Sequence, residues 1–169
     1  MLGVAAASVL GVASVVYYFL AYVVTNLAAF GVVMVTSRTL GSDEIADYAG
    51  LSRRSPSLAL ILLIAFLSLA GVPPLGGFIA KILVFAAAVE AGLIWLAVVG
   101  VLNAIIGLYY YLIVLKVVYL YESDEQDKPV PASQLQLGAL VGSVALIIFL
   151  GTIFAPWYDL ALSSASALF

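Results

Sequence analysis

Between Ser55 and Val89 the chain carries a single charged side chain, Lys81, in an otherwise apolar run. A run of that length and apolarity folds as helix in lipid. Its middle, residues 71–77, reads Gly-Val-Pro-Pro-Leu-Gly-Gly and cannot continue a regular helix. Proline lacks the amide hydrogen and clashes with the preceding turn, and glycine adopts conformations that other residues avoid. An ammonium at bilayer depth costs about 3 kcal/mol on insertion scales and more in simulations. Broken helix at that depth exposes backbone groups that lipid cannot satisfy. Both features are tolerated where the region is buried in protein or lines a wet cavity. Together they make Lys81 a candidate for a proton or ion path. The competing reading is a permanently charged Lys81 tied to a carboxylate on another helix. The sequence offers no such partner at that depth, because Glu90 lies nine residues on, near the membrane edge. Pro73, Pro74, Gly76 and Gly77 then frame an aqueous pocket or, in the plainer reading, a kink that only improves packing.

Composition narrows the chemistry further. The chain is 66% hydrophobic and 9% charged, whereas a soluble domain is about half apolar and a quarter charged. It reads as an integral membrane protein. Cys and His are both absent. That removes disulfides, thiolate clusters, zinc fingers and His-ligated haem or metal. It also removes the side chain that ordinarily titrates near neutral pH, so proton handling falls to Lys, Asp, Glu, Tyr or water. The net charge of −3 argues against binding nucleic acid. No Gly-rich phosphate loop, dinucleotide fingerprint or nucleophile motif is present.

The expected fold is all-α: a polytopic transmembrane bundle of about four spans, one of them discontinuous. Residues 1–11 read as the end of a preceding helix, truncated, with no basic region of a cleavable signal. A first span is expected over residues 12–37. Residues 38–55 form a cytoplasmic loop whose Ser42-Asp43-Glu44 resembles the cap of a short interfacial helix. There Ile45, Tyr48 and Leu51 recur at helical spacing, suited to the membrane surface or a neighbouring helix. The discontinuous span is expected over residues 56–89, broken at 72–77, and a third span over 93–121. An acidic cytoplasmic loop follows at 122–134. The last span covers 135–158, closed by an interfacial Pro156-Trp157-Tyr158, with 159–169 as a tail. Arg38, Arg53, Arg54, Lys116 and Lys128 fall on or near one side of this arrangement, and the Glu90 turn and the tail have no Lys or Arg. The first side is therefore expected to be cytoplasmic and the C-terminus outside.

Other polar groups stand in apolar surroundings. Lys116, about five residues from the cytoplasmic end of its span, is suited to snorkelling or to a relay. Tyr22, Thr25 and Asn26 are candidates for a channel lining, and Asn26 is expected to hydrogen-bond another helix as structural glue. Asn103 shares a helical stripe with Gly107, Tyr110 and Val114, which reads as a wet face or as a close-packing face.

Several segments in order carry a family resemblance. They are YFLAY (18–22), TNLAAF (25–30), DYAGL (47–51), RRSP (53–56), SLAGVPPLGGFIAK (68–81) and YYYL (109–112). With them the chain resembles the C-terminal third of the N-type membrane subunit of NADH:quinone oxidoreductase, respiratory complex I. That subunit is a relative of the cation/proton antiporter subunits. The resemblance implies an antiporter-like fold of fourteen helices built on inverted units, of which this chain resembles the last four. It implies that the lysine after the Gly-Phe break, here Lys81, serves the proton path. The related M-type subunit carries glutamate there, so Lys81 favours N. Ala80 stands where glycine is usual. The resemblance also implies no cofactor in this chain: NADH, flavin, iron–sulfur and quinone chemistry belong to other subunits. Its implied partners are the other membrane subunits and the lipid bilayer of a bacterial or archaeal cell membrane. A subunit of a multisubunit cation/proton antiporter, and a structural piece that transports nothing, stay open as alternatives.

Overall fold

The apolar runs fold into helices, and a computed structural model describes residues 2–6, 8–123 and 129–166. They are α1 (Leu2–Ala5), α2 (Val9–Leu40), α3 (Leu51–Arg54), α4 (Pro56–Ala70), α5 (Gly76–Glu90), α6 (Ile94–Leu120), α7 (Gln134–Thr152) and α8 (Ala155–Ser166). A 3-10 turn, Ile45–Tyr48, precedes α3. The described residues contain no strand. Helices α2, α6 and α7 are long and apolar enough to cross a membrane. Each half of the broken pair, α4 and α5, has 15 residues, or about 22 Å of helix against a hydrocarbon core of about 30 Å. Neither half is long enough to cross alone.

Helix α2 forms the axis of the bundle and packs against α4, α5, α7 and α8. Its buried face repeats every three or four residues: Ala13, Tyr17, Ala21, Val24, Ala28, Val32 and Val35. Hydrophobic burial does not drive association in lipid, so close van der Waals packing must do so, and small residues permit it. The alanines of this stripe meet Leu58, Ile61, Leu62 and Ala65 of α4 and Ile147 and Leu150 of α7 in one core. Helix α6 is different. It buries little, and its outward face presents Trp95, Val98, Leu102, Ile105 and Tyr109, a surface suited to lipid or to neighbouring helices.

Several expectations need correction. The first span is longer than residues 12–37. Ser8 accepts the Gly11 amide at 3.0 Å and starts α2, and Gly41, at φ 74°, closes it. Residues 2–5 form a separate turn of helix ahead of that cap. Ser42 accepts the Glu44 amide, so it closes the approach to the 3-10 turn, and Glu44, the cap position itself, makes no side-chain cap. In that loop Tyr48 and Leu51 are buried and Ile45 is exposed. Burial, with Asp43 nearby, pushes the Tyr48 phenol above its ordinary range. The break in the second span covers residues 71–75, because Gly76 and Gly77 already belong to α5.

The last expected span is interrupted. Helix α7 ends at Thr152, and Pro156 lies in the first turn of α8, where proline is favoured. The tail expected at 159–169 continues as helix to Ser166, and 167–169 lie outside the described residues. Of the acidic loop, residues 124–128 lie outside them too. Helix α7 begins with a reciprocal cap in which Ser133 accepts the Gln136 amide and the Gln136 side chain accepts the Ser133 amide.

Candidate functional site

A helix leaves its last four carbonyls without intrahelical donors, and in lipid each must find a donor elsewhere. At the end of α4 all four do so. Gly71, in the left-handed conformation at φ 88°, donates to Ser68 O, and Val72 donates to Leu67 O. These two bonds form the Schellman pattern that glycine favours. The remaining two carbonyls, Leu69 O and Ala70 O, both accept from Lys81 Nζ at 2.7 Å. The lysine of α5 thus reaches back across the break and completes the end of α4. Its ammonium also sits at the negative end of the α4 dipole. The fit is close: a Cβ on Gly71 would stand 2.9 Å from Lys81 Cδ.

The start of α5 is held by hydroxyls. The Gly77 amide donates to Ser68 Oγ at 3.2 Å. Ser68 Oγ is in turn 3.3 Å from Thr25 Oγ1, and Thr25 donates to Ala21 O on its own helix. Ser68 and Thr25 are both buried. With the Thr25 hydrogen committed to Ala21, the order Gly77 N–H to Ser68 to Thr25 to Ala21 satisfies every donor in the row. Two glycines let the backbones come this near. A Cβ on Gly77 would collide with Ser68 O, and one on Gly151 of α7 would collide with Pro74 O and the Leu75 carbonyl carbon. Pro73 and Pro74, joined by a cis peptide, occupy the turn between the halves.

Two cavities meet at Lys81. The larger, about 540 Å³, lies between α1, α2, α5 and α6, with Tyr18, Tyr22, Asn103, Gly107 and Tyr111 in its wall. The smaller, about 20 Å³, is lined by Lys81, Thr25, Ser68 and Gly77 together with Tyr18 and Tyr22. The aromatic wall is ordered by its own contacts. Tyr18 and Tyr22 stack at 6.0 Å between centroids, and Tyr111 packs on Phe66 at 5.2 Å.

The residues expected from the sequence divide into two groups. Lys81, Tyr22, Thr25 and Gly77 converge on the break, and Asn103 faces the larger cavity. Pro73, Pro74 and Gly76 shape the turn, with Gly76 close to Leu150 and Ile147 of α7. Asn26 does not join them. Its amide donates to Tyr22 O on its own helix, so the expected bond to another helix is replaced by a local one. Lys116 stands apart as well, with Nζ 5.5 Å from the centre of the Tyr121 ring at the end of its own helix. Ser68, Tyr18, Tyr111 and Gly151 were not foreseen. Ser68 had a usable signal, being the one hydroxyl in the last turn of α4; Gly151 had none, because what it admits comes from a distant segment.

Residues 1–107 match the family described as NADH:quinone oxidoreductase/Mrp antiporter, TM. NADH-quinone oxidoreductase subunit N of Moorella thermoacetica is 41% identical over all of this chain, which covers 36% of that protein. Subunit N of Heliobacterium modesticaldum is 40% identical over 94% of the chain and 34% of its own length. The chain thus spans about a third of the length of the curated relatives it matches. Among solved structures, respiratory complex I from Thermus thermophilus with bound aureothin contains a chain that aligns at a TM-score of 0.72 and 27% identity, over 89% of this chain and 36% of that one. The Mrp complex from Dietzia aligns at 0.80 and 20% identity, over 97% and 39%, a likeness of fold. With an all-helical membrane bundle and a lysine-capped helix break, the chain belongs to the NADH:quinone oxidoreductase/Mrp antiporter family of membrane subunits.

Proposed function

We propose that this chain works as part of the N subunit of a proton-pumping NADH:quinone oxidoreductase, with Lys81 carrying protons on the broken helix. The observation that carries this reading is the position of Lys81 Nζ. It bonds two carbonyls that the break has freed and lines both cavities. An amine there has a stake in the helix end when charged and water-sized space beside it for proton exchange. The charged form is supported by carbonyls and a dipole, and the neutral form by the apolar surroundings. A carrier needs both protonation states to be within reach.

The relatives named N at about 40% identity favour the oxidoreductase over an antiporter. Redox chemistry is assigned to partner subunits, in keeping with a chain that has neither Cys nor His. The basic residues support a reading with the loops at 38–55 and 122–134 cytoplasmic and the C-terminus outside. Lys116 is read as a snorkelling side chain, supported by its stacking on Tyr121.

The test is Lys81→Met in the intact membrane complex, with NADH-driven proton uptake measured in inverted vesicles. Proton transport is expected to be lost while the complex still assembles. Full pumping by an assembled Lys81→Met complex would overturn the reading.

A further inference from the structure

An ammonium has three N–H donors. At Lys81 two are taken by Leu69 O and Ala70 O. The same side chain lines the 20 Å³ cavity together with the polar residues Thr25, Ser68, Tyr18 and Tyr22. That volume suits one water, which needs about 10–15 Å³ and two to four polar partners. Three partners are left over among its lining residues: the third Lys81 N–H as donor, and one lone pair each on the Thr25 and Ser68 hydroxyls as acceptors. Both hydroxyls are almost fully buried, Thr25 at 2% and Ser68 at 0% exposure, so lipid and bulk solvent do not compete for them.

We infer that Thr25 and Ser68 hold one ordered water against the Lys81 ammonium, which makes them positioning residues for the proton-carrying lysine. The water solvates the side of the ammonium that the α4 carbonyls leave uncovered. It stands on the face toward α2 and the break, while the larger cavity opens toward α6. Lys81 thus has one polar contact fixed by the fold and one open space, on different walls. The titratable groups facing it are Tyr18 and Tyr22 from α2 and Tyr111 from α6; α1, α4 and α7 contain none. The hydroxyl pair and its water are therefore the means by which the fold adjusts the charged state of Lys81, apart from the helix end itself.

This inference rests on the proposed role of Lys81, and the test separates the two. In the intact membrane complex, proton uptake is followed against pH for Thr25→Val, which removes the hydroxyl at equal volume, and for Thr25→Ser, which keeps it. Without the water the charged form loses a partner, so the half-maximal point of the transport profile is expected to move to lower pH. The shift expected is about one pH unit, the size of one charge-assisted hydrogen bond. Thr25→Ser is expected to restore the original profile. Ser68→Ala supplies the same readout if the valine variant fails to assemble. An unchanged profile in the assembled Thr25→Val or Ser68→Ala complex would overturn the inference while Lys81→Met still abolishes transport. Transport that survives Lys81→Met would instead remove the parent reading.

Discussion

Among the described residues the bundle contains two interrupted helices, and they are finished in different ways. Between α4 and α5 the chain turns through Gly71, Pro73 and Pro74, and the exposed carbonyls are completed by Gly71, Val72 and Lys81. Hydroxyls and two cavities adjoin that turn. Between α7 and α8 the chain turns at Ile153 and Phe154, both well exposed. There Phe149 O accepts the Ile153 amide, Leu150 O accepts the buried Tyr17 hydroxyl, and Thr152 bonds back to Ile148 O. Two of the last four carbonyls of α7 thus take neutral donors, an amide and a phenol. On the proposed reading the lysine at the first break is more than a cap: a side-chain amide also has two donors and would avoid the cost of an ammonium in lipid. On that reading the contrast separates a break that serves a charge from one that serves shape.

Variants at the two breaks sharpen this contrast. The largest stability effect is expected from Gly77→Ala, because the new methyl meets Ser68 O, a backbone atom that cannot swing aside. A loss of about 1–3 kcal/mol is expected, as for overpacking elsewhere. It should appear as a lower unfolding temperature of the purified complex together with impaired proton transport. Tyr17→Phe acts at the second break and removes the donor to Leu150 O. The expected loss is about 1 kcal/mol with transport retained, measured by thermal unfolding and vesicle proton uptake in parallel. Impaired transport with unchanged stability would reverse the roles assigned to the two breaks. The smallest effect is expected for Lys116→Leu, which gives up only its contact with Tyr121, about 0.5–1 kcal/mol at most for an exposed pair. Proton uptake should stay at the parent level.

The first break was legible in the sequence because its chemistry is local. Glycine and proline act on their own turn, and Lys81 stands only eleven and twelve residues from the carbonyls it meets across the break. The second break was not legible. Pro156 reads equally as an end of helix and as the first turn of a new one, and the choice is made where Tyr17, over a hundred residues away in sequence, meets Leu150. The pairing of Ser68 with Thr25 shows the same limit. Thr25 is a channel-lining candidate and Ser68 a hydroxyl in the last turn of α4, and only the packing of α2 against α4 brings them to 3.3 Å. Asn26 erred in the other direction, since a local carbonyl was available and took its amide. Contacts within a helix are set by spacing, whereas contacts between helices depend on which faces the small residues of α2 admit.

The most direct measurement observes the proton on Lys81. Side-chain nitrogen labelling of lysine, with the difference from Lys81→Met to assign the signal, isolates the relevant amine. Spectra of the intact complex at rest and during turnover would report its charge. The expected result is a neutral amine signal from Lys81 that grows under turnover and vanishes in Lys81→Met. A Lys81 signal that stays fully cationic while protons cross the membrane would contradict the account.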